Sequence, residues 1–281
     1  MPENGEEKKM KKFLVLIVFA VIIIFALSCG NEKKSSGYEL ALITDVGTID
    51  DRSFNQGSWE GLKKYAEEKG ITHKYYQPTE KTTDAYIDSI DLAVAAGAKI
   101  VVTPGFLFEP AIYKAQDIHP EVNFVLLDGS PQDGNYKDFR IEKNVYSVFY
   151  AEEEAGFLAG YGAVKEGYTN LGFMGGMAVP AVVKFGYGFV QGVNYAAKEF
   201  GIKNVKVDYN YLGGFNPSPE IQTKAASWYR NGVQVIFVAG GGAGNSVMAA
   251  AEQNNGYVIG VDVDQSVESP TVITSAMKMI G

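Results

Sequence analysis

From Leu40 onward the chain alternates two kinds of stretch. Short apolar runs end in glycine, proline or aspartate, and each is followed by a segment with apolar positions at helical spacing. The runs are Leu40 to Ile43, Thr72 to Tyr76, Lys99 to Thr103, Val122 to Leu127, Asn170 to Met174, Val205 to Leu212, Val233 to Val238 and Tyr257 to Val261. Runs of this kind read as parallel strands covered on both faces. Helices are predicted over Gly57 to Lys69, Asp84 to Ala96, Pro110 to Ile118, Ala151 to Val164, Val182 to Phe200, Pro219 to Asn231 and Asn245 to Asn254. Ser53 is placed to cap the first helix and Gly70 to close it. The glutamates opening Ala151 to Val164 suit the helix dipole. Alternating strand and helix predicts parallel sheets with right-handed crossovers. A second array of similar size begins near Tyr150. The expected fold is therefore α/β, in two similar lobes with a cleft between them.

Open parallel sheets bind ligands beyond the carboxyl ends of their strands. In LALITDVGTIDDRSFNQGSWEG (Leu40 to Gly61) that region holds Asp45, Asp51, Phe54 and Asn55. An aromatic face beside carboxylates and an amide suits a flat, hydroxyl-bearing ligand. The competing reading is an acidic loop with Phe54 in the core. Asp128 and Asp262 also end predicted strands, where carboxylates accept hydrogen bonds from hydroxyls or ring N–H groups. Each alone serves equally as a turn or capping residue. The loop AGGGAG, Ala239 to Gly244, invites a phosphate reading. It lacks the lysine and hydroxyl of a P-loop and the full dinucleotide fingerprint. It reads instead as a loop without side chains that lets a ligand approach the backbone, or as a tight strand-to-helix turn.

A length of 281 residues gives a prior of two domains. The net charge of −8 argues against nucleic acid as a partner. One cysteine excludes an intramolecular disulfide, and the two histidines, His73 and His119, have no metal-like partners in sequence. No nucleophile elbow, Cys/His pair or catalytic acid/base pair is visible. No cofactor and no enzymatic activity are expected.

The first segment stands apart from this pattern. Lys8, Lys9, Lys11 and Lys12 precede an unbroken apolar run, Phe13 to Leu27, which ends at Ser28–Cys29–Gly30. A basic start, an apolar centre and small residues at the end make an export signal. The run is shorter than the ~20 residues of a spanning helix. Cys29 directly after it resembles a bacterial lipobox, with cleavage before the cysteine and lipidation of its thiol. Ala26 stands where that motif usually has leucine. The alternative is an uncleaved anchor. Asn31 to Gly37 reads as a flexible tether.

Five segments, in this order, resemble one family: ITDVGTIDDRSFNQGSWEG, EEEAGFLAGY (Glu152 to Tyr161), LGFMGGM (Leu171 to Met177), FGYGFVQGV (Phe185 to Val193) and IGVDVDQS (Ile259 to Ser266). Together they are similar to the basic membrane protein (Bmp), or purine nucleoside receptor A, family, and the resemblance covers nearly everything from Tyr38. It implies a lipid-anchored substrate-binding protein of an ABC importer, facing the periplasm or cell exterior. The implied fold is the periplasmic-binding-protein-like fold of the sugar-binding type (type I), and the implied partners are permease and ATPase subunits. It implies a purine nucleoside as ligand, with Asp45, Asp128 and Asn55 at the base and Phe54 stacked on it. Phe185 or Phe215 would stack on the other face. Asp262 and Lys278 would hold the ribose hydroxyls, and Gly240 and Gly241 would approach the sugar through their backbone. The expected organisation is a signal peptide over 1–28, a tether over 29–37 and lobes over 38–148 and 149–276. The family continues past SAMK (Ser275 to Lys278), so 277–281 would begin a return to the first lobe that is cut short. A surface adhesin, or a binding protein for riboflavin or a sugar, are the alternatives.

Overall fold

The computed structural model describes residues 38–45 and 47–280. The expected signal segment, Cys29 and the tether lie outside the described residues.

The first sheet contains β1 (Leu40–Ile43), β2 (His73–Tyr76), β3 (Ile100–Pro104), β4 (Asn123–Leu127) and β5 (Val145–Val148). The second contains β6 (Asn170–Gly175), β7 (Lys206–Tyr211), β8 (Val235–Ala239), β9 (Tyr257–Asp262) and β10 (Val272–Met277). The strand orders are β2-β1-β3-β4-β5 and β10-β9-β8-β6-β7, and every pairing within them is parallel. Counted from its own first strand, each sheet therefore has the order 2-1-3-4-5. Each is doubly wound, so each presents the carboxyl ends of its strands to a crevice at a switch point.

The helices are α1 (Phe54–Lys69), α2 (Thr83–Ala95), α3 (Glu109–Ile118), α4 (Glu152–Lys165), α5 (Pro180–Glu199), α6 (Pro219–Arg230) and α7 (Ala243–Asn254). In the first lobe, α2 and α3 pack on one sheet face with Ala41, Ile43, Val101, Phe124 and Leu126. Leu62 and Ala66 of α1 meet Leu40 and Leu42 on the other face. In the second lobe, residues of α4 and α5 cover Phe173, Phe237 and Ile259, while α6 and α7 cover Met174, Ile236 and Val238.

Two strands were not expected from the sequence, β5 and β10. Both are edge strands, as are β2 and β7, which their runs did predict. An edge strand is only partly covered and need not be a continuous apolar run. One cap also differs. Ser53 makes no capping bond with its side chain, although α1 starts three residues earlier than its pattern suggests. Asp51 does the capping: its Oδ1 accepts from the N–H groups of Ser53 (2.9 Å) and Gln56 (3.0 Å), and its Oδ2 from that of Asn55 (3.1 Å). A carboxylate with two oxygens satisfies three orphan donors where one hydroxyl satisfies one.

Candidate functional site

Every ligand-contact residue expected from the sequence lines one cavity of ≈ 310 Å³ between the lobes. The first lobe contributes Asp45, Asp51, Phe54, Asn55 and Asp128. The second contributes Phe185, Phe215, Gly240, Gly241, Asp262 and Lys278. The volume falls at the small end of ordinary ligand pockets, about 300–1,000 Å³.

The loop after β1 is built around Asn55. Its amide Nδ2 donates to Asp45 Oδ1 (3.1 Å) and Asp51 Oδ2 (3.1 Å). Only the NH2 side of an amide can face two carboxylates, which fixes the direction of the carbonyl. That carbonyl, Oδ1, is buried without a hydrogen-bond partner. Asp45 also accepts from the Gly47 N–H at 2.6 Å. The loop beside the cavity therefore holds a buried, unsatisfied acceptor, fixed in direction by two acids.

The opposite wall is built around Lys278. Its ammonium pairs with Asp128, lies 3.0 Å from Glu152 Oε1 and 3.9 Å from Asp262 Oδ1, and is 4% exposed. It stands 4.7 Å from the Phe54 ring centroid, 5.2 Å from that of Tyr150 and 5.5 Å from that of Phe185, all within cation–π range. Asp128 and Asp262 stand at the ends of β4 and β9, one in each lobe, and both have left-handed backbone (φ 54 and 66). Aspartate tolerates this region better than most residues, and such conformations cluster at ligand sites. Asp262 Oδ2 accepts from the Ser53 hydroxyl at 2.5 Å, across the lobes.

Three carboxyl groups around one buried ammonium leave an excess of negative charge. Burial raises the Asp128 carboxyl to about 7, against the pull of Lys278 and with the push of Glu152. Burial also raises Asp262, while Lys278 and the Ser53 hydroxyl oppose it. Burial, the largest influence, acts against the Glu152 carboxylate, but the Lys278 charge together with the hydrogen bonds to the group holds it below its usual range. The native state binds a proton at Asp128 that the unfolded chain has released. The stability this gives is fully present below the unfolded value of 3.8 and is lost as the pH rises through about 7.

The two candidate aromatics of the second lobe differ. Phe185 is 2% exposed within α5 and stands edge-on to Phe237 at 5.8 Å. Phe215 is half-buried and lies over Gly176, where a Cβ would come within 2.4 Å of its ring. Phe54 is likewise half-buried. The glycine loop supplies Gly240 and Gly241 to the cavity. The helix that follows has its first N–H groups occupied: Ala243 donates to Phe215 O (2.8 Å), Gly244 to Gly241 O (3.0 Å) and Asn245 to Gly242 O (3.1 Å). With α1 capped by Asp51, neither helix start offers the free donors of an anion cradle.

Sequence reasoning missed several residues of this site. Lys81, Phe106 and Asn245 line the cavity, and Ser53 and Glu152 build its wall. Asn245 directly follows the glycine loop and was open to detection. Glu152 was not, because a glutamate in a first helical turn already has a sufficient explanation. Among the described residues no metal-binding cluster occurs, and no helix is long and apolar enough to cross a membrane.

The family model described as Bmp, ABC transporter substrate-binding protein PnrA-like, matches residues 38–281. The chain belongs to the Bmp family. It is 31% identical over 272 residues to the ABC transporter nucleoside-binding protein BmpA of Lactococcus lactis subsp. cremoris, with 89% of this chain and 73% of that protein covered. It is 32% identical over 279 residues to Basic membrane protein A of Borreliella burgdorferi, with 97% and 77% covered. An ABC transporter solute-binding protein from Aeropyrum pernix K1 matches in structure with a TM-score of 0.73 at 26% identity, over 86% of this chain and 67% of that one. The arabinose-binding protein AraP of Geobacillus stearothermophilus, at a TM-score of 0.56, 15% identity and 80% and 75% coverage, shows the shared two-lobe fold alone. This Bmp-family chain is thus an ABC transporter substrate-binding protein, and its cavity is the candidate substrate site.

Proposed function

We propose that this Bmp-family protein binds a purine nucleoside in the interlobe cavity and delivers it to the permease and ATPase subunits of an ABC importer. The observation that carries the reading is one combination: half-buried phenyl rings, Phe54 and Phe215, reach the cavity from opposite lobes, beside a buried acceptor with no donor, Asn55 Oδ1. A ligand that completes such a site has two flat apolar faces and an edge bearing donors. A purine nucleoside has both. The L. lactis relative is named as nucleoside-binding, which supports the same reading.

In this reading Phe54 and Phe215 stack on the base, and Phe185 closes the pocket floor. Asn55, Asp45 and Asp128 take the polar edge of the base. Asp262 and Lys278 hold the ribose hydroxyls, and Gly240 and Gly241 allow close approach of the sugar. Asp51 orders α1 beneath the ligand. Cys29 carries a lipid after removal of 1–28, with 29–37 as the tether to two lobes over 38–148 and 149–276. The pattern Phe13 to Gly30 supports that reading.

Calorimetric titration with adenosine, guanosine, inosine, deoxyadenosine, riboflavin and ribose tests the ligand. The three ribonucleosides are expected to bind, deoxyadenosine more weakly, and riboflavin and ribose not at all. Phe54→Ala should weaken adenosine by about 1–3 kcal/mol, the scale of stacking a base on an aromatic ring. Binding of riboflavin or ribose alone would overturn the assignment.

A further inference from the structure

One of the carboxylates that holds Lys278 stands behind the cavity wall and not in its lining. Glu152 opens α4 and is 2% exposed. Its Oε1 faces Lys278 Nζ at 3.0 Å, and its Oε2 accepts from Lys184 Nζ at 3.3 Å. Lys184 also donates to the Tyr150 carbonyl at 3.3 Å. A first-turn glutamate gains from the helix dipole without leaving water. The dipole therefore does not account for burial this deep, which desolvates a charge and needs a partner. The partners are Lys278 and, less buried, Lys184; of the two, Lys278 also meets Asp128 of the first lobe and Asp262 of the second.

We propose that Glu152 is a positioning residue for ligand binding: it fixes Lys278 at the seam so that one ammonium joins Asp128 of the first lobe to Asp262 of the second. Its consequence for affinity rests on the nucleoside reading of the cavity. Its consequence for the unliganded site does not. The charged and titratable groups around Glu152 are Lys278, Lys184, Asp128, Asp262 and Tyr150. Two opposite effects act on Asp128 when Glu152 is removed. The Lys278 charge lowers its carboxyl more strongly than the Glu152 charge raises it. If Glu152 positions Lys278, its loss frees the ammonium, and Asp128 titrates at higher pH. If Glu152 is merely a neighbouring charge, its loss lowers the Asp128 midpoint.

The test uses the full chain in detergent micelles. Carboxyl carbon NMR of the unliganded protein follows Asp128 across pH, with Asp128→Asn for assignment, and calorimetry follows adenosine. Glu152→Met keeps the length of the side chain and removes both acceptors. It is expected to raise the Asp128 midpoint and to weaken adenosine by about tenfold, a factor worth about 1.4 kcal/mol. Glu152→Gln keeps one acceptor for Lys278 and should fall between wild type and Glu152→Met in both readouts. In a Lys278→Met background, Glu152→Met should change affinity by less than about twofold, because residues that act through one contact are not additive. A midpoint that falls or stays in Glu152→Met, or a full further loss in the Lys278→Met background, overturns the proposal. Wild type that is silent to every purine nucleoside overturns the nucleoside reading instead, and the carboxyl titration still decides the role of Glu152.

Discussion

The two lobes share a strand order and differ in how their sheets are covered. In the second lobe each face has two helices, α4 with α5 and α6 with α7, and its central strand β8 is buried at every position from Val235 to Ala239. In the first lobe α2 and α3 cover one face. Among the described residues, α1 alone covers the other. Val102 and Val125, paired in register on β3 and β4, are only half-buried, and Tyr146, the partner of Val125 on β5, is 56% exposed. Among the described residues, the same topology thus carries a sheet closed on both sides and a sheet closed mainly on one. Hydrophobic stabilisation follows the area removed from water, not the strand order. The second lobe therefore removes more apolar surface from water among the described residues, and the first lobe touches the seam where Gly57 in the first turn of α1 lies against Val263 and Ile280.

The sharpest test is a matched pair of core truncations. Phe237 is fully buried and packed among Phe173, Phe185 and Phe189. Phe237→Ala should lower stability by about 3–5 kcal/mol. Val102→Ala, at the equivalent middle of the first sheet, should lower it by about 1 kcal/mol, because only part of its surface is covered. Urea unfolding with residue-resolved hydrogen exchange gives both values. Equal losses would mean that the coverage difference does not set the energetics.

The helix pair of the second lobe gives a smaller, more local test. Gly156 and Gly160 of α4 lie against the backbone of Phe185 and Phe189 in α5, Gly188 and Gly192 of α5 lie against that of Glu153 and Phe157 in α4, and a Cβ at Gly188 would stand 2.0 Å from the Glu153 carbonyl oxygen. Side chains of any size force the axes apart. Gly188→Ala should lower stability by about 1–3 kcal/mol through overpacking. Protection from hydrogen exchange should be lost in α4 and α5 first and leave β1 to β4 unchanged. Loss spread evenly over both lobes would mean that they unfold as one unit.

The same contrast explains what the sequence made legible. Strands buried on both faces, such as Val235–Ala239, are unbroken apolar runs, and they were read with their ends within two residues. The edge strands Val145–Val148 and Val272–Met277 mix buried and exposed positions over a few residues, and that signal does not rise above a loop. The site was legible where chemistry coincides with strand ends, as at Asp45, Asp128 and Asp262. It was illegible where one residue has two sufficient reasons. Ser53 looks like a cap and instead reaches Asp262 across the lobes, and Glu152 looks like a dipole partner and instead holds Lys278. Only the pairing of residues far apart in the chain separates those readings.

The smallest effect is expected at the outer edge of the seam. Arg52, just before α1, forms an ion pair with Glu268 in the loop between β9 and β10. Beside this pair the seam is polar and Gln265 is buried. Gln265, 2% exposed, donates to the Arg52 carbonyl at 2.7 Å and accepts from the Val261 N–H at 2.9 Å. The Arg52 side chain is 54% exposed and that of Glu268 15%, so water and salt reach the cation and screen the pair from that side, and pairs with an exposed partner contribute about 0–1 kcal/mol. The carbonyl that Gln265 uses belongs to the backbone and survives substitution of the side chain. Arg52→Ala should therefore lower stability by less than about 1 kcal/mol, and added salt should erase most of the difference from wild type. Gln265→Leu leaves a partly buried carbonyl and a buried N–H without partners, which should cost about 1–3 kcal/mol at any salt concentration. If Arg52→Ala instead destabilised the first lobe more than Gln265→Leu does, the lobe with the thinner cover would be held by its surface charges, and the argument from buried area would fail there.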